Sequence, residues 1–233
     1  TIFEKMENYI GESNIRFNSP VKKLVHDKKN IVELVYGNTR ITDIDKVITT
    51  LPVSLLINCM EPSPPQKIKD IVNNIKYRDL NLCVIYLDIP SFTDNASIYF
   101  PEPSFPFTRI YEPKNRSKMM APKNKTCIVV EVPCEANDSI YNCNNDEFLS
   151  LIKFSLINNG LINKKNIINS TSIKIPYAYP LLDKNSKNIL EKVQNFVKSF
   201  DNLCLIGRSA EFKYLHTHDL LFQAKCKISQ LFN

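Results

Sequence analysis

Near the C-terminus the apolar run Leu203-Cys204-Leu205-Ile206 meets Gly207 and then Arg208, and this junction constrains the fold most. The apolar residues read as a short buried strand that Gly207 ends. A polar loop then leads to Asp219 and an amphipathic run over residues 220–232, for which Asp219 is the expected N-cap. Strand, glycine turn and helix start leave backbone N–H groups and a helix dipole directed at the turn, a combination that holds anions. The plainer reading of the same residues is a strand-ending turn with a solvated arginine.

The rest of the chain mixes element types. Residues 1–12 have helical periodicity. Short strands follow at Val21–His26 and Ile31–Tyr36, with a hairpin signal at Gly37-Asn38 and a further strand from Arg40. Asp45-Lys46-Val47-Ile48-Thr49-Thr50-Leu51-Pro52 reads as a buried strand running into a proline-marked loop. Prolines 62, 64 and 65 open a helix over 66–74. Strands are expected at 82–87, 97–100, 107–111, 127–132 and 167–175, and helices at 146–158 and 189–200. This order is not a βαβ repeat. It predicts an α+β fold whose centre is a mixed, mostly antiparallel sheet with helices. The expected division is 1–58, 59–199 and 200–233, because both end segments finish in a buried strand that needs a partner.

Composition narrows the function classes. The chain has 233 residues, 43% of them hydrophobic, enough for a real core. No apolar run approaches the ~20 residues of a membrane helix, and the first residues read as an amphipathic helix rather than a signal peptide. A start at Thr1 predicts a piece of a longer protein or a processed product. The net charge of +6 reflects a composition rich in Lys, Asn and Ile, or an anionic ligand such as a nucleotide. The lysines are scattered and no zinc, RNP or basic-helix motif occurs, which argues against nucleic acid. Cys59, Cys83, Cys127, Cys134, Cys143, Cys204 and Cys226 form no C-x-x-C pair and are odd in number. They are expected to be reduced thiols in a reducing compartment, the cytoplasm, with no metal site.

Arg109 and Tyr111 occupy alternate strand positions and so share a face. A cation beside an aromatic there suits a phosphate or carboxylate, and Lys114 and Arg116 follow closely. His216 and His218 flank Thr217 but have no third ligand at metal-binding spacing. No catalytic triad, carboxylate pair or P-loop is present, so no catalytic residue is named.

Three stretches together carry a family resemblance across nearly the whole chain. They are residues 15–52, including Asn18-Ser19-Pro20-Val21; residues 77–134, including Ile98-Tyr99-Phe100-Pro101 and Phe107-Thr108-Arg109-Ile110-Tyr111-Glu112-Pro113-Lys114-Asn115; and Leu205-Ile206-Gly207-Arg208 with Lys213-Tyr214-Leu215. The chain resembles the C-terminal part of a flavin-containing amine oxidoreductase. It resembles the protoporphyrinogen oxidase-like or UDP-galactopyranose mutase-like branch of that superfamily. Such proteins begin with a G-x-G-x-x-G turn that holds the FAD pyrophosphate. The four glycines here, Gly11, Gly37, Gly160 and Gly207, do not form one.

The resemblance implies that residues 1–58 and 200–233 are remnants of a Rossmann-like FAD-binding domain and that 59–199 bind substrate. It implies FAD in the full-length protein, not held by this part alone. Cofactor contacts would come from Val21, Thr50, Leu51, Pro52, Gly207, Arg208, His218 and Asp219. Arg109, Tyr111, Tyr177 and Tyr179 would contact a small-molecule substrate, anionic or a nucleotide sugar. Three activities follow as alternatives: an FAD-dependent oxidoreductase whose flavin accepts hydride, a mutase isomerising a nucleotide sugar, or a cofactor-free binding module. In the first two the flavin does the chemistry and the protein orients it. The part alone is expected to be inactive.

Overall fold

The computed structural model describes residues 1–182 and 186–232, apart from the side chains of Ser186 and Lys187. In chain order its regular elements are α1 (Ile2–Ile10), β1 (Val21–His26), β2 (Ile31–Tyr36), β3 (Thr39–Ile41), β4 (Val47–Thr49), α2 (Val53–Asn58), β5 (Met60–Glu61), α3 (Gln66–Asn73) and β6 (Tyr77–Leu87). There follow β7 (Ile98–Tyr99), β8 (Arg109–Tyr111), β9 (Thr126–Cys134), α4 (Ser139–Asn142), α5 (Asn145–Asn158), β10 (Ile167–Pro180), α6 (Ser186–Lys198), β11 (Leu203–Leu205) and α7 (Thr217–Phe232). The fold is α+β, with helices and largely antiparallel sheets.

Two compact units form. One joins residues 1–75 to 182–233 and the other is 76–181. Residues 59–75 and 182–199 therefore pack with the terminal segments. The reason is apolar burial. Val72 of α3 and Val193 and Val197 of α6 lie in the same core as Leu24, Ile31, Leu56, Ile57, Leu203 and Leu205.

The first unit has a sheet in the order β3-β2-β1-β5, antiparallel except for the parallel β1–β5 pair, and a separate parallel pair β11-β4. Asn202 ties the two together. Its buried side-chain amide accepts from the Ile31 N–H at 2.7 Å and donates to the Ile31 carbonyl at 2.9 Å, while its own carbonyl accepts from Val47 N–H at 2.7 Å. One side chain thus replaces a strand neighbour for a buried residue whose main-chain groups would otherwise be orphaned.

The second unit is one antiparallel sheet, β10-β6-β9-β8-β7. Side chains alternate across it as the pleat requires. Cys83, Ile85, Leu87, Ile110, Ile128, Val130 and Val132 face one way and meet Phe148, Ile152 and Leu156 of α5. The α5 stripe repeats at helical spacing, and Asn144 caps it by accepting from Glu147 N–H at 2.9 Å. The opposite face carries Leu80, Leu82 and Val129, with Val84, Tyr111 and Tyr179 packed beside them. Register places Ile173, Leu82, Glu131, Arg109 and Tyr99 in one row across this second face.

Candidate functional site

In the first unit, β4 and β11 run parallel and end together. Thr49 is paired with Leu205, and Ile206 N–H donates to the Thr49 carbonyl at 3.0 Å. The chain leaves β4 as Thr50-Leu51-Pro52 and leaves β11 as Ile206-Gly207-Arg208, so the two turns are adjacent at the carboxyl ends of parallel strands. In open α/β arrangements this is where ligands sit. A Cβ on Gly207 would lie 3.7 Å from Thr50 Cγ2, which is ordinary contact, so Gly207 is required by its φ of +92° and not by crowding.

The turn is less open to an anion than its sequence suggests. The Gly207 N–H donates to Gln223 Oε1 at 3.3 Å. Gln223 Nε2 in turn donates to Glu211, and Lys227 Nζ donates to Glu211 and to the Leu205 carbonyl, the latter at 2.6 Å. Glu211 is buried. Helix α7 therefore closes on the turn through Gln223 and Lys227, residues that sequence reading passed over. Their spacing of four on α7 was the available signal.

Arg208 is half-buried, and its Cζ lies 4.6 Å from the Tyr214 ring centroid. The plainer reading, a solvated arginine, does not hold: the guanidinium lies over an aromatic ring six residues later. Leu51 packs on the core and its N–H donates to Thr49 Oγ1 at 3.2 Å. Pro52 is the N-cap of α2, and Val21 is half-buried against the same core.

The expected N-cap role of Asp219 is also corrected. Helix α7 starts at Thr217, because Leu220 N–H already donates to the His216 carbonyl at 3.0 Å. Asp219 sits inside the first turn and reaches back, accepting from His216 N–H at 3.0 Å. His216 and His218 stack with centroids 5.7 Å apart, and His218 Nε2 lies 3.5 Å from Asp219 Oδ1. Among the described residues no group of three or more His, Cys, Asp or Glu could hold a metal.

In the second unit, Arg109 and Tyr111 do share a face. Arg109 Nε donates to Glu131 Oε2 at 2.9 Å and Nη2 donates to Glu131 Oε1, a two-pronged ion pair. The Glu131 carboxylate holds the guanidinium further above its already high pKa. The arginine Cζ lies 5.4 Å from the Tyr111 centroid and 5.9 Å from that of Tyr99, and Arg116 Cζ lies 6.0 Å from Tyr111. Burial pushes the Tyr111 hydroxyl up. Glu131 and Tyr99 are the members of this cluster that sequence reading did not assign to the site. Both follow from strand pairing with Arg109.

Tyr177 and Tyr179 part company. The β10–β6 register slips between Ile175 and Tyr179, and Tyr177 takes a φ of +55° with its N–H donating to Asp79 Oδ1 at 2.7 Å. Its ring meets Tyr77 edge-on at 5.3 Å. Tyr179 instead packs, as Tyr111 does, against the cluster of Leu80, Leu82 and Val129. Lys114 does not serve as a free cation. Its ammonium donates to the carbonyls of Pro90, Pro122, Lys123 and Lys125 at 2.8–2.9 Å.

Residues 17–154 match the UDP-galactopyranose mutase family. The chain belongs to that family. A crystal structure of a reduced UDP-galactopyranose mutase has a TM-score of 0.74 to it at 21% identity, covering 90% of this chain and 45% of that one. A protein from Exiguobacterium sp. 255-15, assigned as a protoporphyrinogen oxidase, has a TM-score of 0.76 at 14% identity, covering 99% and 50%. At these identities the likeness shows the fold alone. No curated protein matches the chain. This mutase-family chain thus spans about half the length of the solved proteins it matches. Among its described residues no helix is long and apolar enough to cross a membrane.

Proposed function

We propose that the chain contributes to a flavin-dependent mutase that isomerises a nucleotide sugar. The observation that carries this reading is one cluster: on the sheet face Arg109 lies over Tyr99 and Tyr111, and Arg116 lies over Tyr111 from the loop that follows. Arginine forks with tyrosines suit a diphosphate, whereas an amine substrate calls for an aromatic cage. Family membership supports the same choice.

Within this reading Arg109 is held flat by Glu131, so it presents a preorganised donor plane. Arg116 supplies the uncompensated charge. Tyr111 and Tyr179 give the face an apolar wall. Tyr177 contributes from its own position beside Tyr77.

The residues at the β4/β11 ends fit an FAD diphosphate through a side chain more than through the main chain. Arg208, steadied on Tyr214, is the donor, and Thr50 and the positive-φ Gly207 keep the approach free of bulk. Val21, Leu51, Pro52, His218 and Asp219 complete the proposed set. When bound, the flavin supplies the bond-making chemistry at the sugar. The seven free thiols suit a reducing compartment such as the cytoplasm.

The test is an isomerisation assay by proton NMR on the full-length protein that contains this chain, supplied with FAD, a reductant and UDP-galactopyranose. The mutase reading expects a new sugar isomer with no net consumption of oxidant. Stoichiometric oxidation of an added substrate, with no isomer formed, would favour the oxidoreductase reading instead.

A further inference from the structure

A second candidate site lies in the loops of the 76–181 unit. A cavity of about 790 Å³ opens between the segments around Pro90, Lys114 and Lys123. That volume is typical of small-molecule sites.

Its walls are fixed from behind. Glu112 is fully buried and accepts from Phe92 N–H at 3.0 Å, Thr93 N–H at 2.9 Å and the Thr126 hydroxyl at 2.5 Å. Asn115 Nδ2 donates to the Thr93 carbonyl at 2.6 Å and the Asn95 carbonyl at 2.9 Å. The Lys114 ammonium joins the 90 and 122–125 segments through its four carbonyls. Three side chains therefore spend their polar groups on holding three loops in register, and the hollow between them is preformed.

What faces the hollow is mainly cationic. Arg116, Lys118 and Lys123 line it and are exposed, and among the described residues none lies within ion-pair distance of a carboxylate. Asp94 is the one carboxylate in the lining. Uncompensated cations gathered in a concave site raise the local concentration of anions. Three cations exceed what a monoanion can use, and the volume exceeds a bare phosphate. Asp94, at one side of the lining, can accept from a hydroxyl on the organic part of such a ligand, while the cations hold its phosphates.

We propose that this cavity binds a small organic diphosphate, its phosphates on Arg116, Lys118 and Lys123 and its alcohol portion toward Asp94. Arg116 also lies over Tyr111 of the face proposed for the nucleotide sugar, so the test is placed on Lys118 and Lys123, which that face does not use, and the inference does not rest on the mutase reading.

The experiment uses the 233-residue chain and pyrophosphate as probe, at one fixed ionic strength, followed by calorimetry and by amide chemical shifts. The expected result is saturable binding of one pyrophosphate per chain, with shifts confined to residues 90–95 and 113–125. The K118Q/K123Q double variant should weaken it at least tenfold. Both lysines are exposed and unpaired, so folding is retained, and the urea midpoint checks it. The K164Q/K165Q double variant removes the same charge from an exposed turn of the same unit and should bind as the parent does. Absence of saturable binding, shifts centred elsewhere, or equal weakening in both double variants would overturn the proposal.

Discussion

Gly207 N–H donates to Gln223 Oε1 at 3.3 Å, so the turn that ends β11 is held from behind by the helix that follows it. Turn and helix form one device, and Glu211 and Lys227 extend it. Two substitutions separate its parts. Gly207→Ala must place a Cβ at φ +92°, where the nearest atom is Thr50 Cγ2 at an unstrained 3.7 Å. Its cost is conformational, roughly 1–2 kcal/mol. Shortening Thr50 to Ser should not recover it. Gln223→Leu removes the acceptor and should cost about 1–2 kcal/mol. Urea unfolding measures both, and full rescue of Gly207→Ala by Thr50→Ser would show that crowding matters there after all.

Asn202 is expected to be the most sensitive polar residue of the first unit. Replacing it with Ala removes both side-chain bonds to Ile31 and leaves a buried N–H and a buried carbonyl without partners. Each orphaned group costs on the order of 1–3 kcal/mol, so the loss should reach about 2–6 kcal/mol. Asn202→Asp keeps only the acceptor and should fall between. Amide exchange at Ile31 is the direct readout. It should accelerate in Asn202→Ala well beyond any change at Val84 in the other unit, and unchanged exchange at Ile31 would contradict the assignment.

Element positions were legible in the sequence wherever one periodicity dominated. The α5 stripe is an example, because burial on one face enforces the spacing; β6 and β9 were readable as apolar runs, because residues on both of their faces are buried. What was not legible is of two kinds. Contacts between residues far apart in the chain, such as Asn202 with Ile31, leave no local trace. Departures from regular geometry also hide. The slip in β10 separates Tyr177 from Tyr179 although their spacing of two predicts a shared face. Lys114 could be seen as a cation near Arg109 and Tyr111. That it is consumed by four carbonyls depends on the paths of two loops, which composition does not determine. For the site itself, the pairing of Arg109 with Tyr111 was readable from alternation, while Glu131 and Tyr99 required the strand register.

The thiols should separate into classes. Burial pushes Cys83 up to about 12 and Cys134 up to about 11, and Cys59 and Cys127 also rise through burial. Cys226 is exposed. Iodoacetamide at pH 8 should label Cys226 first and leave Cys83 and Cys134 unmodified in the folded chain. A stability consequence follows. Above the ordinary thiol value of 9.0, unfolded Cys83 loses its proton while the folded residue keeps it. The unfolded state then binds fewer protons, so stability falls as pH rises, by about 1.4 kcal/mol per unit for each such thiol, until the folded value is reached. Below pH 8 the contribution is constant. Cys83→Ala should flatten the slope between pH 9 and 11, and an unchanged slope would count against the assignment.

Arg109 and Glu131 offer the sharpest test of the second unit. Glu131 is 7% exposed, and the Arg109 side chain retains 25% exposure. Removing one partner of a buried pair strands the other, which costs about 3–5 kcal/mol when burial is complete. The partial exposure of Arg109 lowers the expectation for Glu131→Leu to roughly 2–3 kcal/mol. Arg109→Leu leaves the better-buried carboxylate alone and should cost about 3 kcal/mol. Their neighbours in the row, Leu82 and Ile173, are apolar, so two leucines extend an apolar surface and the double variant should recover most of the loss. A double-mutant cycle by urea unfolding then gives a coupling of about 2 kcal/mol or more. Additive losses would show that the pair contributes nothing as a pair. The same variants separate structure from recognition: Arg109→Leu with Glu131→Leu restores the fold but not the donor plane. If Arg109 receives the diphosphate of a nucleotide sugar, the stable double variant should lose at least tenfold in UDP affinity, and an unchanged affinity would remove Arg109 from the proposed substrate set.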